Sequence, residues 1–196
     1  MTTTKTSEVN LECGARHESA HIVIATVEGL RLKPEGLMVD PSGWGLACYH
    51  DTPADSDVAR ERNILAVLAG FAVENRFREE RSYPPRDSLD VICNNDNVKA
   101  RTLLGKLDGN YAVNELRMRK QLDDLIEQHW ISIGALASVL LGRDWEPIKP
   151  LKSSGKWSNP NETVAKYASG DEVVRILAEI GISAAQDTRP RSRGRQ

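Results

Sequence analysis

The chain has 196 residues and a mass of 21.7 kDa, enough for one domain with a proper core. A net charge of −2 and a pI near 6.1 favour neither nucleic acid nor an anionic membrane surface, so neither partner is expected. The polar N-terminus has no export-signal core, and the longest apolar run, Ile131 to Leu141, is too short to cross a bilayer, which implies a cytoplasmic protein.

Residues 1–9 are expected to lack order. A first helix is expected from near Asn10–Glu12 to Glu28, with Gly29 as its stop. It carries His17-Glu18-Ser19-Ala20-His21, an H-E-x-x-H set flanked by the apolar residues Ala15, Ile22, Val23, Ile24, Ala25 and Val27. Residues four apart share a helix face, so both imidazoles can reach one metal ion. Zinc suits two neutral histidine nitrogens, and an open coordination position would hold a water whose pKa falls towards neutrality. Glu18 is then placed to act as general base on that water, a pattern of metal-assisted hydrolysis of a peptide or amide bond. A structural His/Glu cluster is the plainer alternative, but two histidines and a glutamate on a buried helix are costly unless paired or metal-bound.

After Pro34 and Gly36, Leu37-Met38-Val39 is a short expected strand; Asp40-Pro41-Ser42-Gly43 is turn chemistry, and Trp44 to His50 is the returning strand of a β-hairpin. Its segment Gly45-Leu46-Ala47 could offer an edge to an extended peptide. A second helix is expected from Asp55 or Ser56 to about Arg81, ended by Tyr83-Pro84-Pro85. Asn94-Asn95-Asp96 is expected to cap a helix over 97–107. A long helix then runs from about Val113 to Leu141, amphipathic through Leu116, Leu122, Leu125 and Ile126. Residues 143–168 are expected to form an irregular insertion, with Trp145 and Trp157 as apolar anchors. Ser169-Gly170-Asp171-Glu172 is a capping box opening a last helix that Gly181 closes, and residues 189–196 are expected to be a disordered basic tail. The domain organisation is therefore a single unit over 10–188, mainly α, with a small hairpin beside the metal helix.

A catalytic zinc needs three protein ligands, and the spacing supplies two. A metzincin-type continuation is absent, because Ile24 and Val27 stand where it wants glycine and histidine. His50, His129, Glu74, Asp87, Asp90 and Asp96 remain as candidates. Cys13, Cys48 and Cys93 are scattered thiols with no C-x-x-C pair; Cys13, one turn before His17, is better read as a small buried residue than as a ligand.

Four segments in order bear on the choice. Arg16 to Ala25 resembles the zinc helix of the FtsH-type AAA+ membrane proteases. Gly45 to Tyr49 resembles the strand that follows it in that family, Leu68 to Glu74 its L-x-G-R-x-A-E helix, and Asn95 to Ala100 its N-D-L-x-x-A segment. The resemblance spans about residues 11–105. It implies a zincin-like helical fold, with Asp96 as third zinc ligand beside His17 and His21, and Glu18 as general base. It also implies that Glu74 supports the site rather than ligating, with Glu74 kept as the first alternative. Phe71 replaces the family's arginine and Asn97 an apolar residue, and the chain carries no G-x-x-x-x-G-K-[ST] loop and no membrane anchor.

The expected function is thus a stand-alone zinc peptidase that cleaves flexible or unfolded polypeptide, with a separate ATPase partner and an oligomeric state both open. The alternatives are a catalytically silent binding or regulatory module with the same fold, and a zinc amidohydrolase acting on a small molecule.

Overall fold

A computed structural model describes residues 3–84, 91–147 and 164–183, with side chains of residues 3–7 and 91–94 excepted. Among the described residues five helices and four strands follow one another: α1 (Thr3–Val27), β1 (Leu32–Val39), β2 (Gly45–Tyr49), α2 (Asp57–Glu80), α3 (Val91–Leu104), α4 (Tyr111–Leu141), β3 (Trp145–Pro147), β4 (Val164–Ala168) and α5 (Gly170–Glu179). The fold is mainly helical with a small antiparallel sheet. No helix among the described residues is long and apolar enough to cross a membrane.

Helix α1 begins at Thr3, within a stretch expected to lack order. No proline or glycine stands between Thr3 and Cys13, so the helix set by the buried part of α1 continues backwards through polar residues. Along α1, Ala15, Ala20, Ile22, Val23 and Ile24 are buried with His17, Glu18 and His21, so core and candidate site share one helix. Helix α2 packs on it through Ile64, Leu65, Val67, Leu68, Ala69 and Val73, and α4 completes the core with Met118, Leu122, Ile126, Ile133, Leu136 and Leu140. Leu116, expected on that inner face, is 71% exposed. The buried positions of α4 follow the 3.6-residue period from Met118 onwards, and Leu116 falls outside that stripe.

Caps account for most helix boundaries. The Ser56 side chain accepts from Ala59 N–H at the start of α2, and Asn110 does the same for Val113 N–H at the start of α4. Ser169 and Glu172 form the reciprocal box expected at α5. Helix α3 is the exception. It starts at Val91, so Asp96 lies inside the helix rather than at its cap, and backbone N–H groups at a helix start do not hold its carboxylate.

The hairpin is part of a larger sheet with strand order β2-β1-β4-β3. Strand β1 runs through Pro34 and Gly36, where its register on β2 breaks between Leu32 and Leu37. Proline offers no ladder N–H and Gly36 has φ +64°, which together allow the irregularity. The expected irregular insertion supplies β3 and β4: Leu37, Met38 and Val39 pair with Ala168, Tyr167 and Lys166. The buried residues of β4 are alanines, too small to stand out as an alternating apolar pattern. Trp145 does not anchor this region; it is 41% exposed, with Lys166 Nζ 4.8 Å from its ring centroid. Trp157 and residues 189–196 lie outside the described residues.

One buried polar group is poorly served. Ser19 is fully buried, and its hydroxyl has no hydrogen-bond partner among the described residues. Ser19→Ala is therefore expected to raise stability by about 1 kcal/mol in urea denaturation, since a buried unsatisfied hydroxyl costs roughly that much; a loss of stability would mean that the hydroxyl is bonded.

Candidate metal centre

Helix α1 presents His17 and His21 on one face, with ring centroids 4.8 Å apart and planes at 73°. Each ring is oriented through Nδ1 by α2. His17 Nδ1 donates to Glu74 Oε2 at 3.0 Å, and His21 Nδ1 donates to the carbonyl of Ala66 at 2.7 Å. With Nδ1–H engaged in both rings, the two Nε2 lone pairs turn to the same point, the arrangement in which metal-binding histidines are held. Asp96 approaches that point from α3, its Oδ2 lying 3.5 Å from His17 Nε2 and 3.3 Å from His21 Nε2.

Three observations test whether a cation fits. His17 Nε2 is buried and makes no well-formed hydrogen bond among the described residues, its neighbour Asp96 Oδ2 standing off at 3.5 Å. The three donor atoms lie within 4.8 Å of one another. Tetrahedral bonds of about 2.0 Å separate ligand atoms by roughly 3.3 Å, close to both carboxylate–imidazole distances. The third observation is Gly70 of α2: a Cβ there would lie 2.5 Å from His17 Nε2 and 2.5 Å from His21 Nε2. Any larger residue would therefore crowd the convergence point. Two imidazoles and a carboxylate form a donor set suited to zinc.

Burial opposes protonation of His17, but the Asp96 and Glu74 carboxylates facing its two nitrogens outweigh it and raise its pKa to about 10. The Asp96 carboxyl is held well below its ordinary range: burial pushes it up, but the His21 and His17 imidazoles more than compensate. Glu18 is buried beside the two histidines and its pKa is raised by that burial, against the opposing pull of His17 and His21. Strand β2 lies directly against it. A Cβ on Gly45 would fall 2.2 Å from Glu18 Cγ, so glycine at 45 lets strand and carboxylate share one place.

The expected ligands His17, His21 and Asp96 thus come together, although Asp96 does so from within a helix. Glu74 touches His17 on the Nδ1 side, away from the convergence point. His50 is exposed, His129 is half-buried on α4, and Cys13 is buried; none of them belongs to the ligand group. Asp87, Asp90 and the Cys93 side chain lie outside the described residues. Sequence reasoning missed Ala66 and Gly70. The orienting group at 66 is a backbone carbonyl, and the requirement at 70 is the absence of a side chain; the one available signal was a glycine inside an otherwise helical run.

Gly45, Leu46 and Ala47 form most of β2, which is an edge strand of the sheet among the described residues. Asp40 N–H donates to Trp44 O at 2.7 Å, one pair beyond Val39 and Gly45. Antiparallel pairs alternate, so Gly45 and Ala47 occupy non-hydrogen-bonded pairs, and their own N–H and C=O groups point away from β1 towards the open edge.

Zinc retention should separate the two acids. Asp96→Ala removes a ligand atom and is expected to weaken zinc binding more than Glu74→Gln, whose loss should be roughly 10–100-fold. Competition against a chromophoric chelator measures both, and equal losses would make Glu74 a ligand. The raised His17 pKa gives a second expectation. In the metal-free protein the His17 proton contributes stability in full below its ordinary value of 6.5, and the contribution fades as pH rises through about 10. Between those limits a cation must displace that proton, so zinc uptake at pH 8 is expected to release it. Calorimetry in buffers of different ionisation enthalpy reads the release, and a heat independent of buffer would contradict it.

No protein-family model matches the chain, and neither a curated protein nor a solved structure matches it.

Proposed function

We propose that the protein is a zinc-dependent peptidase hydrolysing peptide bonds in flexible or unfolded polypeptide. The observation that carries the reading is the convergence of two Nε2 atoms and a carboxylate oxygen next to a buried glutamate and an open strand edge. The resemblance of four segments to FtsH-type peptidase domains supports it. The ligand set would be His17, His21 and Asp96, with zinc as the cofactor.

Zinc, when bound, supplies Lewis acidity towards a carbonyl and towards water. The chain's own residues would do the rest. Glu18 accepts a proton from the attacking water and returns it to the leaving amine; burial raises its pKa, which makes it a better proton acceptor than an exposed carboxylate. The outward N–H and C=O groups of Gly45 and Ala47 would pair with an extended substrate backbone, laying it alongside Glu18. Main-chain pairing of this kind needs a segment free of its own secondary structure, which is why unfolded polypeptide is the substrate class. A separate ATPase that unfolds proteins would be a fitting partner. An open edge suits a small-molecule amidohydrolase less well, because such an enzyme needs a closed pocket.

Glu18→Gln tests the reading. It should keep zinc while lowering turnover of an unfolded fluorogenic reporter by roughly 10²–10⁴-fold. Chelation should abolish wild-type turnover and added zinc restore it. A zinc-loaded wild-type protein that cleaves nothing, like its Gln variant, would point to the silent binding module instead.

A further inference from the structure

We propose that Arg78 is a positioning residue for the metal centre. It engages one oxygen of Glu74 so that the other serves His17, which keeps the imidazole in the orientation that turns Nε2 to the site. The proposal rests on the metal-site reading given above.

Glu74 and Arg78 stand four apart on α2, both buried. Arg78 Nε donates to Glu74 Oε1 at 2.9 Å, and Nη2 lies 2.8 Å from the same oxygen. The carboxylate is therefore divided: Oε1 faces the guanidinium and Oε2 accepts from His17 Nδ1. The guanidinium is fixed from a second side, because Nη1 donates to the carbonyl of Pro84 at 3.1 Å, beyond the end of α2. A planar group held at both ends cannot follow a carboxylate that turns.

This division bears on the chemistry because Glu74 orients a ring of the site. It is in direct contact with His17 on the Nδ1 side, opposite the convergence point, and a carboxylate free to turn could swing its oxygen off Nδ1. His17 would then lose the bond that fixes its tautomer and orientation. Stability alone is a weak account of the pair, since a buried ion pair contributes little over a well-packed apolar one. Its effect is directional.

The test combines Arg78→Met, Arg78→Lys, Glu74→Gln and the double variant Glu74→Gln/Arg78→Met. Zinc affinity is read by chelator competition, and coordination by the visible absorption of the cobalt(II)-loaded proteins. Arg78→Met is expected to weaken zinc binding roughly 10–100-fold and to change the cobalt spectrum, with Arg78→Lys recovering part of both. The double variant should bind zinc as Glu74→Gln does, because Arg78 acts through Glu74. Wild-type affinity with an unchanged cobalt spectrum in Arg78→Met overturns the proposal, and so does a double variant markedly weaker than Glu74→Gln. Should Arg78→Met fail to fold with Glu74 left unpaired, the double variant, which buries no lone charge, decides by the same comparison. Wild-type protein that takes up no zinc would bring down the metal-site reading and this proposal with it; zinc uptake with indifferent Arg78 variants would bring down the proposal alone.

Discussion

Two imidazoles buried on α1 must have their polar atoms answered, and the molecule answers them from two directions. Helix α2 meets both Nδ1 atoms, with the Glu74 carboxylate for His17 and the Ala66 carbonyl for His21. Helix α3 brings Asp96 to the Nε2 side. The packing of α1 on α2 is therefore at once the main core contact and the device that aims the rings. Leu65, Val67, Leu68, Ala69 and Val73 surround the same stretch of α2 that carries Ala66, Gly70 and Glu74, so apolar burial fixes the distance across which the polar contacts are made.

Close approach is the recurring means. Gly70 lets α2 pass the two Nε2 atoms, and Gly45 lets β2 pass Glu18. The same holds one turn earlier on α1, where a Cβ on Gly14 would lie 2.1 Å from the Gly43 carbonyl, in the turn between β1 and β2. That turn is itself organised by Asp40, whose Oδ1 accepts from Ser42 N–H and Trp44 N–H. The sheet edge is thus pinned to α1 at the turn and at Gly45, which holds the outward-facing backbone groups of β2 beside the carboxylate. Glycine serves here as a gap between elements more than as a flexible joint.

Charge is handled by pairing across elements. Asp96, on α3, is stabilised as a carboxylate by the imidazoles of α1, while Glu74 faces both His17 and Arg78. On the outer side of α1, Arg16 lies 4.0 Å from the Phe77 ring centroid and 5.7 Å from that of Trp130, bridging α2 and α4. Polar contacts of this sort add little net free energy but impose direction, which apolar packing does not. Direction is what brings two imidazoles and a carboxylate to one point.

The local pattern of residues was enough to place the two histidines and Glu18 on one buried helix, because four-residue spacing and an apolar flank are read along a single element. The start of α2 at Ser56 and the capping box at Ser169 were equally visible, since capping joins residues three apart, whereas the Asn110 cap of α4 was not read. Asp96 was reached only through resemblance, and its setting was misjudged: Asn94-Asn95-Asp96 has the composition of a cap, yet the helix starts at Val91 and carries Asp96 inside it. Strands β3 and β4 were missed because Trp145–Pro147 is short and exposed and the buried residues of β4 are alanines, so β4 depends on a partner strand more than 100 residues earlier and β3 depends on β4. Gly70, Ala66 and Arg78 have roles that exist only once α1 and α2 are in contact. A backbone carbonyl, a missing side chain and a divided carboxylate leave no periodic trace; the folded packing alone assigns them.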